Sequence, residues 1–230
     1  MVLQLPGQTV LSVVTGSRAY GLETEGSDTD RRGVFVTPTP LFWRLDKPPT
    51  HVEGPMPEQF SWEVERFCVL ALGANPTVLE CLWSPIVEHS TRIGDDLLAI
   101  RRAFLSRRAV ETFASAADDQ FRRLDPDGSR RPGSPMGEAR RAKMAMHVIR
   151  LLLGALNLAV DGEPLVRVDA HRDRLLAVRH GRADWPEVRR WRDELVTEIA
   201  ARTAAGTALP ERPDRGVVEE FVVAVRRSSL

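Results

Sequence analysis

The run Thr15-Gly16-Ser17-Arg18-Ala19-Tyr20-Gly21, followed by Ser27-Asp28-Thr29-Asp30, brings a glycine-serine turn and a carboxylate pair into one short stretch of chain. A glycine at a strand-to-helix corner lets backbone come close to a ligand. The N–H groups of Ser17 and Arg18 at a helix start would face an anion, and the Ser17 hydroxyl adds one more donor. In an extended segment residues i and i+2 share a face, so Asp28 and Asp30 present both carboxylates together while Thr29 points away. Adjacent carboxylates repel unless a cation sits between them. Hard oxygen donors of this kind suit Mg²⁺ or Mn²⁺, held together with substrate phosphates. Each half alone is common, since Gly-Ser marks ordinary turns and Asp-x-Asp solvated loops. Their order and spacing between two strand-like runs make the combination specific.

Those runs are the elements that must position the turn and the acids. Thr9 to Val14 and Arg31 to Val36 are β-branched and apolar enough for strands, with a short helix from Ser17 between them. A Pro-rich loop from Thr37 to Pro57 follows, then a short strand near Glu58 to Ser61 and a helix from Trp62 to about Leu72. Gly73-Ala74-Asn75-Pro76 ends that helix, and Asn75 caps the next, Pro76 to Trp83, with proline at its favoured first position. After residue 90 the pattern is helical: Gly94 to Phe121, Gly137 to Val160, Asp169 to Arg179, Trp185 to Ala205 and Arg215 to Arg226. Asp125 to Pro135, rich in Gly, Pro, Ser and Arg, reads as a mobile connection.

Composition narrows the classes further. The 230 residues carry a formal net charge of zero, so there is no global electrostatic case for nucleic acid, although a local basic groove remains open. Of 32 Lys and Arg residues only Lys47 and Lys143 are lysine, a bias that makes arginine clusters weak pointers to a site. Cys68 and Cys81 match no zinc spacing and read as buried thiols of a reducing compartment. No basic segment followed by a long apolar run opens the chain, and no run reaches the roughly 18 apolar residues of a membrane span, so a cytoplasmic protein without a membrane partner is expected. Lys143, His147 and Arg150, at i, i+4 and i+7, fall on one face of a helix. Such a stripe is either a solvated polar face or a contact for a triphosphate or an acceptor phosphate. Tyr20, the single tyrosine, is either a stacking surface for a base or ribose or an apolar helix residue.

The Gly16-Ser17 and Asp28-Thr29-Asp30 pattern, with Arg31-Arg32-Gly33-Val34 after it, resembles the signature of the DNA polymerase β-type nucleotidyltransferase superfamily, in its RNA-repair-pathway branch. The likeness continues through Trp62-Glu63-Val64-Glu65-Arg66-Phe67 and Ala74-Asn75-Pro76-Thr77-Val78-Leu79-Glu80. It resumes at Lys143 to Leu153, at Gly162-Glu163 and at Leu209-Pro210. The resemblance implies an α/β (α+β) fold: a nucleotidyltransferase domain with a mixed sheet over residues 1–90, followed by a helical domain over 91–230. It also implies transfer of a nucleoside monophosphate from a nucleoside triphosphate to a hydroxyl of RNA, a small molecule or a protein, with Mg²⁺-dependent release of pyrophosphate. The alternative is a nucleotide-binding or toxin-neutralising partner with the fold but little turnover. On the family pattern Gly16, Ser17, Arg18, Lys143, His147 and Arg150 would bind the nucleotide, while Asp28, Asp30 and a third acid would be the metal ligands and catalytic groups. The third acid is expected at Glu58, where the family usually shows aspartate, with Glu63 as the alternative; acids are also favoured at Glu63 simply because it lies in a first helical turn.

Overall fold

The computed structural model describes residues 7–54, 56, 58–124 and 137–230, and it divides into two compact units. One comprises Met1–Leu105 with Arg212–Leu230, the other Ser106–Glu211. The division expected near residue 90 compares with one at 105, and the last helix belongs with the first unit.

The first unit is built on a mixed five-stranded sheet of order β3-β4-β2-β1-β5. Its strands are β1 (Gln8–Thr15), β2 (Asp30–Val36), β3 (His51–Glu53), β4 (Gln59–Glu63) and β5 (Val87–Ser90). β1 and β2 pair antiparallel with Thr15 opposite Asp30, so the end of one strand and the start of the next are neighbours. β4 runs parallel to β2, with Arg31 beside Gln59 and Phe35 beside Glu63. Parallel neighbours need a crossover, and residues 37–58 supply it, including β3 within the stretch expected to be only a loop. β5, which the sequence pattern did not announce, pairs antiparallel with the other side of β1.

Helices α1 (Gly16–Tyr20), α2 (Val64–Leu72), α3 (Pro76–Leu82), α4 (Arg92–Ala99) and α9 (Arg215–Ser228) complete this unit. Leu11, Val34, Phe35, Phe67, Leu79 and Phe104 form part of its core, each at most 2% exposed. Asn75 caps α3 as expected, its side chain accepting from Val78 N–H with Pro76 at the first position. The single helix expected from Gly94 is broken after α4 by a 3₁₀ turn, Arg101–Phe104, before the next helix starts at Arg107. That break is tertiary in origin. The Ala103 carbonyl, an acceptor that a continuous helix would use internally, accepts from Asp214 N–H at 2.8 Å, and the Arg101 side chain reaches the Leu82 carbonyl at 3.3 Å.

The second unit packs α6 (Glu138–Asp161) against α5 (Arg107–Leu124), α7 (Arg172–Arg179) and α8 (Trp185–Ala205). Gly154 on α6 allows the Phe113 ring to approach; a Cβ there would lie 3.1 Å from Phe113 Cδ1. Contrary to the expectation that no segment is long and apolar enough to cross a membrane, α6 meets that test of length and composition. Its apolar window is 67% buried, which is the habit of a core helix. The segment Asp125 to Pro135, expected to be mobile, lies outside the described residues.

Candidate active site

Gly16 is the hinge of the site. It takes φ +68°, a left-handed conformation that residues with a Cβ rarely adopt, and a Cβ built on it would lie 2.2 Å from Asp30 Oδ2. The absent side chain is therefore what allows the turn and the second acid to touch. Gly21, also at positive φ, closes α1 by donating its N–H toward the Ser17 and Arg18 carbonyls. Thr15, opposite Asp30 in the ladder, donates its hydroxyl to the Asp30 carbonyl at 3.3 Å.

The connection from α1 to β2 is pinned as well. Arg18, expected to meet a nucleotide through its backbone N–H, donates from Nη2 to the Ser27 carbonyl at 2.8 Å. Thr24 and Ser27 close a turn on each other: Ser27 N–H reaches the Thr24 carbonyl at 3.0 Å, and Thr24 N–H reaches Ser27 Oγ at 2.9 Å. The chain thus arrives at Asp28 from a fixed direction. β2 begins at Asp30, so Asp28 lies just before the ladder, exposed, while Asp30 is half-buried at its first rung.

Neither carboxylate is in an ion pair with a described residue, because the adjacent basic groups are engaged elsewhere. Arg31 makes a two-pronged ion pair with Glu88, at 2.7 and 3.1 Å, and Arg32 donates from Nη1 to the Arg31 carbonyl at 2.8 Å. Among the described residues no protein cation lies against the acid pair. Among the described residues no group of three or more His, Cys, Asp or Glu side chains is gathered as a ready metal cage. A pair of free carboxylates suits Mg²⁺, which completes its octahedron with water and substrate phosphates. The residues present fit that ion on donor chemistry.

The two candidates for the third acid differ sharply in surroundings. Glu58 directly precedes Gln59, the residue in register with Arg31, and its carbonyl accepts from Arg31 N–H at 2.9 Å, so its backbone lies beside the start of β2. It is exposed and holds φ +55°, a conformation that costs a non-glycine residue roughly 1–3 kcal/mol and recurs at functional sites. Glu63 lies beside Phe35, five residues further along β2 than Asp30, or about 16 Å at ~3.3 Å per residue. Its carboxylate caps α2 by accepting from Glu65 N–H at 2.9 Å and is gripped by both Arg226 Nη atoms at 2.8 Å.

Tyr20 donates its hydroxyl to Glu80 Oε2 at 2.8 Å, and Glu80 is only 4% exposed, so the tyrosine is tied into the helices of its own unit. Alternate residues of the same strands face elsewhere: Ser12, Arg31 and Gln59 help line a cavity of about 480 Å³ that neither Asp28 nor Asp30 reaches.

Lys143, His147 and Arg150 all lie on α6 in the second unit, and they do not form the open basic stripe their spacing suggests. Lys143 is exposed, His147 is half-buried and Arg150 is 1% exposed, donating from Nη2 to His147 Nδ1 at 3.2 Å. Burial, with the charges of Arg150 and Lys143 adding to it, pushes the His147 imidazole down to about 3, so it is neutral at pH 7. The periodicity placed the three side chains on one face, and packing turned most of that face inward. Cys68 and Cys81 are buried as expected, and burial raises each thiol to about 12, leaving them inert.

The model of the RNA repair pathway DNA polymerase beta family covers residues 4–224. No curated protein and no solved structure matches the chain.

Proposed function

The chain belongs to the RNA repair pathway DNA polymerase beta family, and from that premise we propose that it transfers a nucleoside monophosphate from a nucleoside triphosphate to a hydroxyl acceptor, in a reaction dependent on Mg²⁺ or Mn²⁺. The observation that carries this reading is the contact of Gly16 with Asp30, which joins the turn suited to phosphates to the acid pair suited to a metal. The backbone N–H groups of Ser17 and Arg18, with the Ser17 hydroxyl, bind the β- and γ-phosphates. Asp28 and Asp30 hold the metal, with Glu58 as third ligand or as base. When bound, the ion polarises phosphoryl oxygens and eases deprotonation of the acceptor hydroxyl. The acceptor oxygen forms a bond to the α-phosphorus in line with the departing pyrophosphate, whose bridging P–O bond breaks, and the acceptor proton passes to Glu58 or water. Catalysis rests on positioning and charge neutralisation, as phosphoryl transfer generally does.

The test is incubation with each α-labelled nucleoside triphosphate, Mg²⁺ or Mn²⁺, and separate RNA, small-molecule and protein acceptor pools. Label should move to one pool with the wild type and to none with Asp28→Asn/Asp30→Asn, whose fold should persist by circular dichroism. Undiminished transfer by the double variant overturns the metal assignment. Nucleotide binding without transfer to any pool favours the alternative of a binding partner with little turnover.

A further inference from the structure

Along β4, Phe60 and Trp62 alternate with the buried residues Gln59, Ser61 and Glu63. Across the antiparallel pairing, His51 of β3 stands opposite Trp62 and Glu53 opposite Phe60. The His51 ring stacks on Phe60, with centroids 5.3 Å apart and planes 18° from parallel, and Phe60 meets Trp62 edge-on at 4.9 Å. Phe67 of α2 closes the far end of the series, 6.0 Å from Trp62. The near end stays open: His51 is exposed, and Phe60 and Trp62 are only half-buried. Cross-strand aromatic pairs do stabilise a sheet. A cover serving the core alone would nevertheless be sealed, as the opposite face of β4 is.

The strip is continuous with the candidate active site. In the parallel ladder Arg32 stands beside Phe60, and paired residues share a face, so Phe60 shares its face with Arg32 and, two residues back, with Asp30. Two strand residues span about 6.6 Å and neighbouring strands lie about 4.8 Å apart, which puts the Phe60 backbone about 8 Å from that of Asp30. That distance is within the reach of one nucleotide. Charge decides which part of a nucleic acid would face the strip. Exposed Glu53 and Glu58 repel phosphates, whereas base faces stack on aromatic rings irrespective of sequence, and Glu53 can accept from a 2′-hydroxyl or an exocyclic amine. β3, three residues long, is too short an edge to template an added protein strand.

We propose that His51, Phe60 and Trp62 form a base-stacking platform for a single-stranded RNA acceptor, laid along β4 so that its reacting hydroxyl reaches Asp28 and Asp30. The proposal rests on the nucleotidyl-transfer reading of that site for its purpose, but not for its test. The full chain would be titrated, with no nucleoside triphosphate present, into a fluorescein-labelled ten-nucleotide single-stranded RNA and followed by fluorescence anisotropy. The wild type should bind, His51→Ala and Phe60→Ala should each weaken binding about tenfold, within the range for loss of one base–aromatic stack, and Phe60→Tyr should restore it. Fully base-paired RNA should bind less tightly than the single strand.

A wild type that does not bind the single strand overturns the proposal, as do His51→Ala and Phe60→Ala proteins within about twofold of wild type. Should Phe60→Ala fail to fold in a thermal melt, His51→Ala on the exposed strand and Phe60→Leu decide the question by the same criteria. Aromatic-dependent RNA binding without nucleotidyl transfer to any acceptor would leave the platform standing and overturn the functional reading. Transfer to a small molecule without RNA binding would do the reverse.

Discussion

Replacing Glu63 with alanine should destabilise the first unit by about 3–4 kcal/mol without removing a catalytic group. The carboxylate is 3% exposed and accepts two charge-assisted bonds from Arg226 at 2.8 Å, each worth about 1.5–3 kcal/mol. It also caps α2 through Glu65 N–H, a contribution of about 1 kcal/mol. The gross loss is reduced because Arg226 keeps Glu65 as a partner at 3.1 Å, which leads to the lower part of the range of about 3–5 kcal/mol for breaking a buried pair. Arg226→Ala should cost at least as much, since it strands the more deeply buried partner, and the double variant should cost less than the sum. The assay is urea unfolding followed by circular dichroism at pH 7, with transfer activity measured at a temperature where every variant remains folded. A Glu63→Ala protein within about 1 kcal/mol of wild type would refute the clasp, and an activity loss beyond its folded fraction would return Glu63 to the catalytic candidates.

Three further outcomes follow from the same geometry. Glu58→Gln should lower turnover by at least about 10²-fold, the lower range for lost general-base assistance, with little change in unfolding midpoint because the side chain is exposed; equal turnover in a steady-state assay removes it as the third acid. Gly16→Ala should cost only about 1–2 kcal/mol for its left-handed backbone but lower metal-dependent transfer much more, since its Cβ displaces the Asp30 carboxylate 2.2 Å away; the comparison is kcat against unfolding free energy, and parallel modest losses would count against the contact. For His147 the folded value of about 3 lies below the unfolded value of about 6.5, so the unfolded chain binds a proton that the folded one refuses between them. Stability is therefore complete above the unfolded value and falls as pH drops toward 3, by about 2 kcal/mol at pH 5. Urea titrations at pH 7 and 5 should show that slope in the wild type and a smaller one in His147→Gln; identical slopes would mean that the imidazole titrates normally.

The sequence by itself determined the features whose causes lie within a few residues. Gly16, Asn75 and Pro76 act on the adjacent turn, so the corner after β1 and the start of α3 were legible without a partner in view. The spacing of Gly16-Ser17 and Asp28-Thr29-Asp30 likewise announced the family and its mixed sheet. Tertiary structure decided what depends on residues far apart in the chain. β3 and β5 are short strands with weak patterns of their own, ordered by the ladders of β4 and β1. Glu63, read as the alternative third acid, is held by Arg226, 163 positions away, a partner that no local pattern announces. Lys143, His147 and Arg150 share a helical face by periodicity, but periodicity states only which side chains point together. Whether that face meets water or a packed interior is fixed by the neighbouring helices, and burial is what removes the charge of His147.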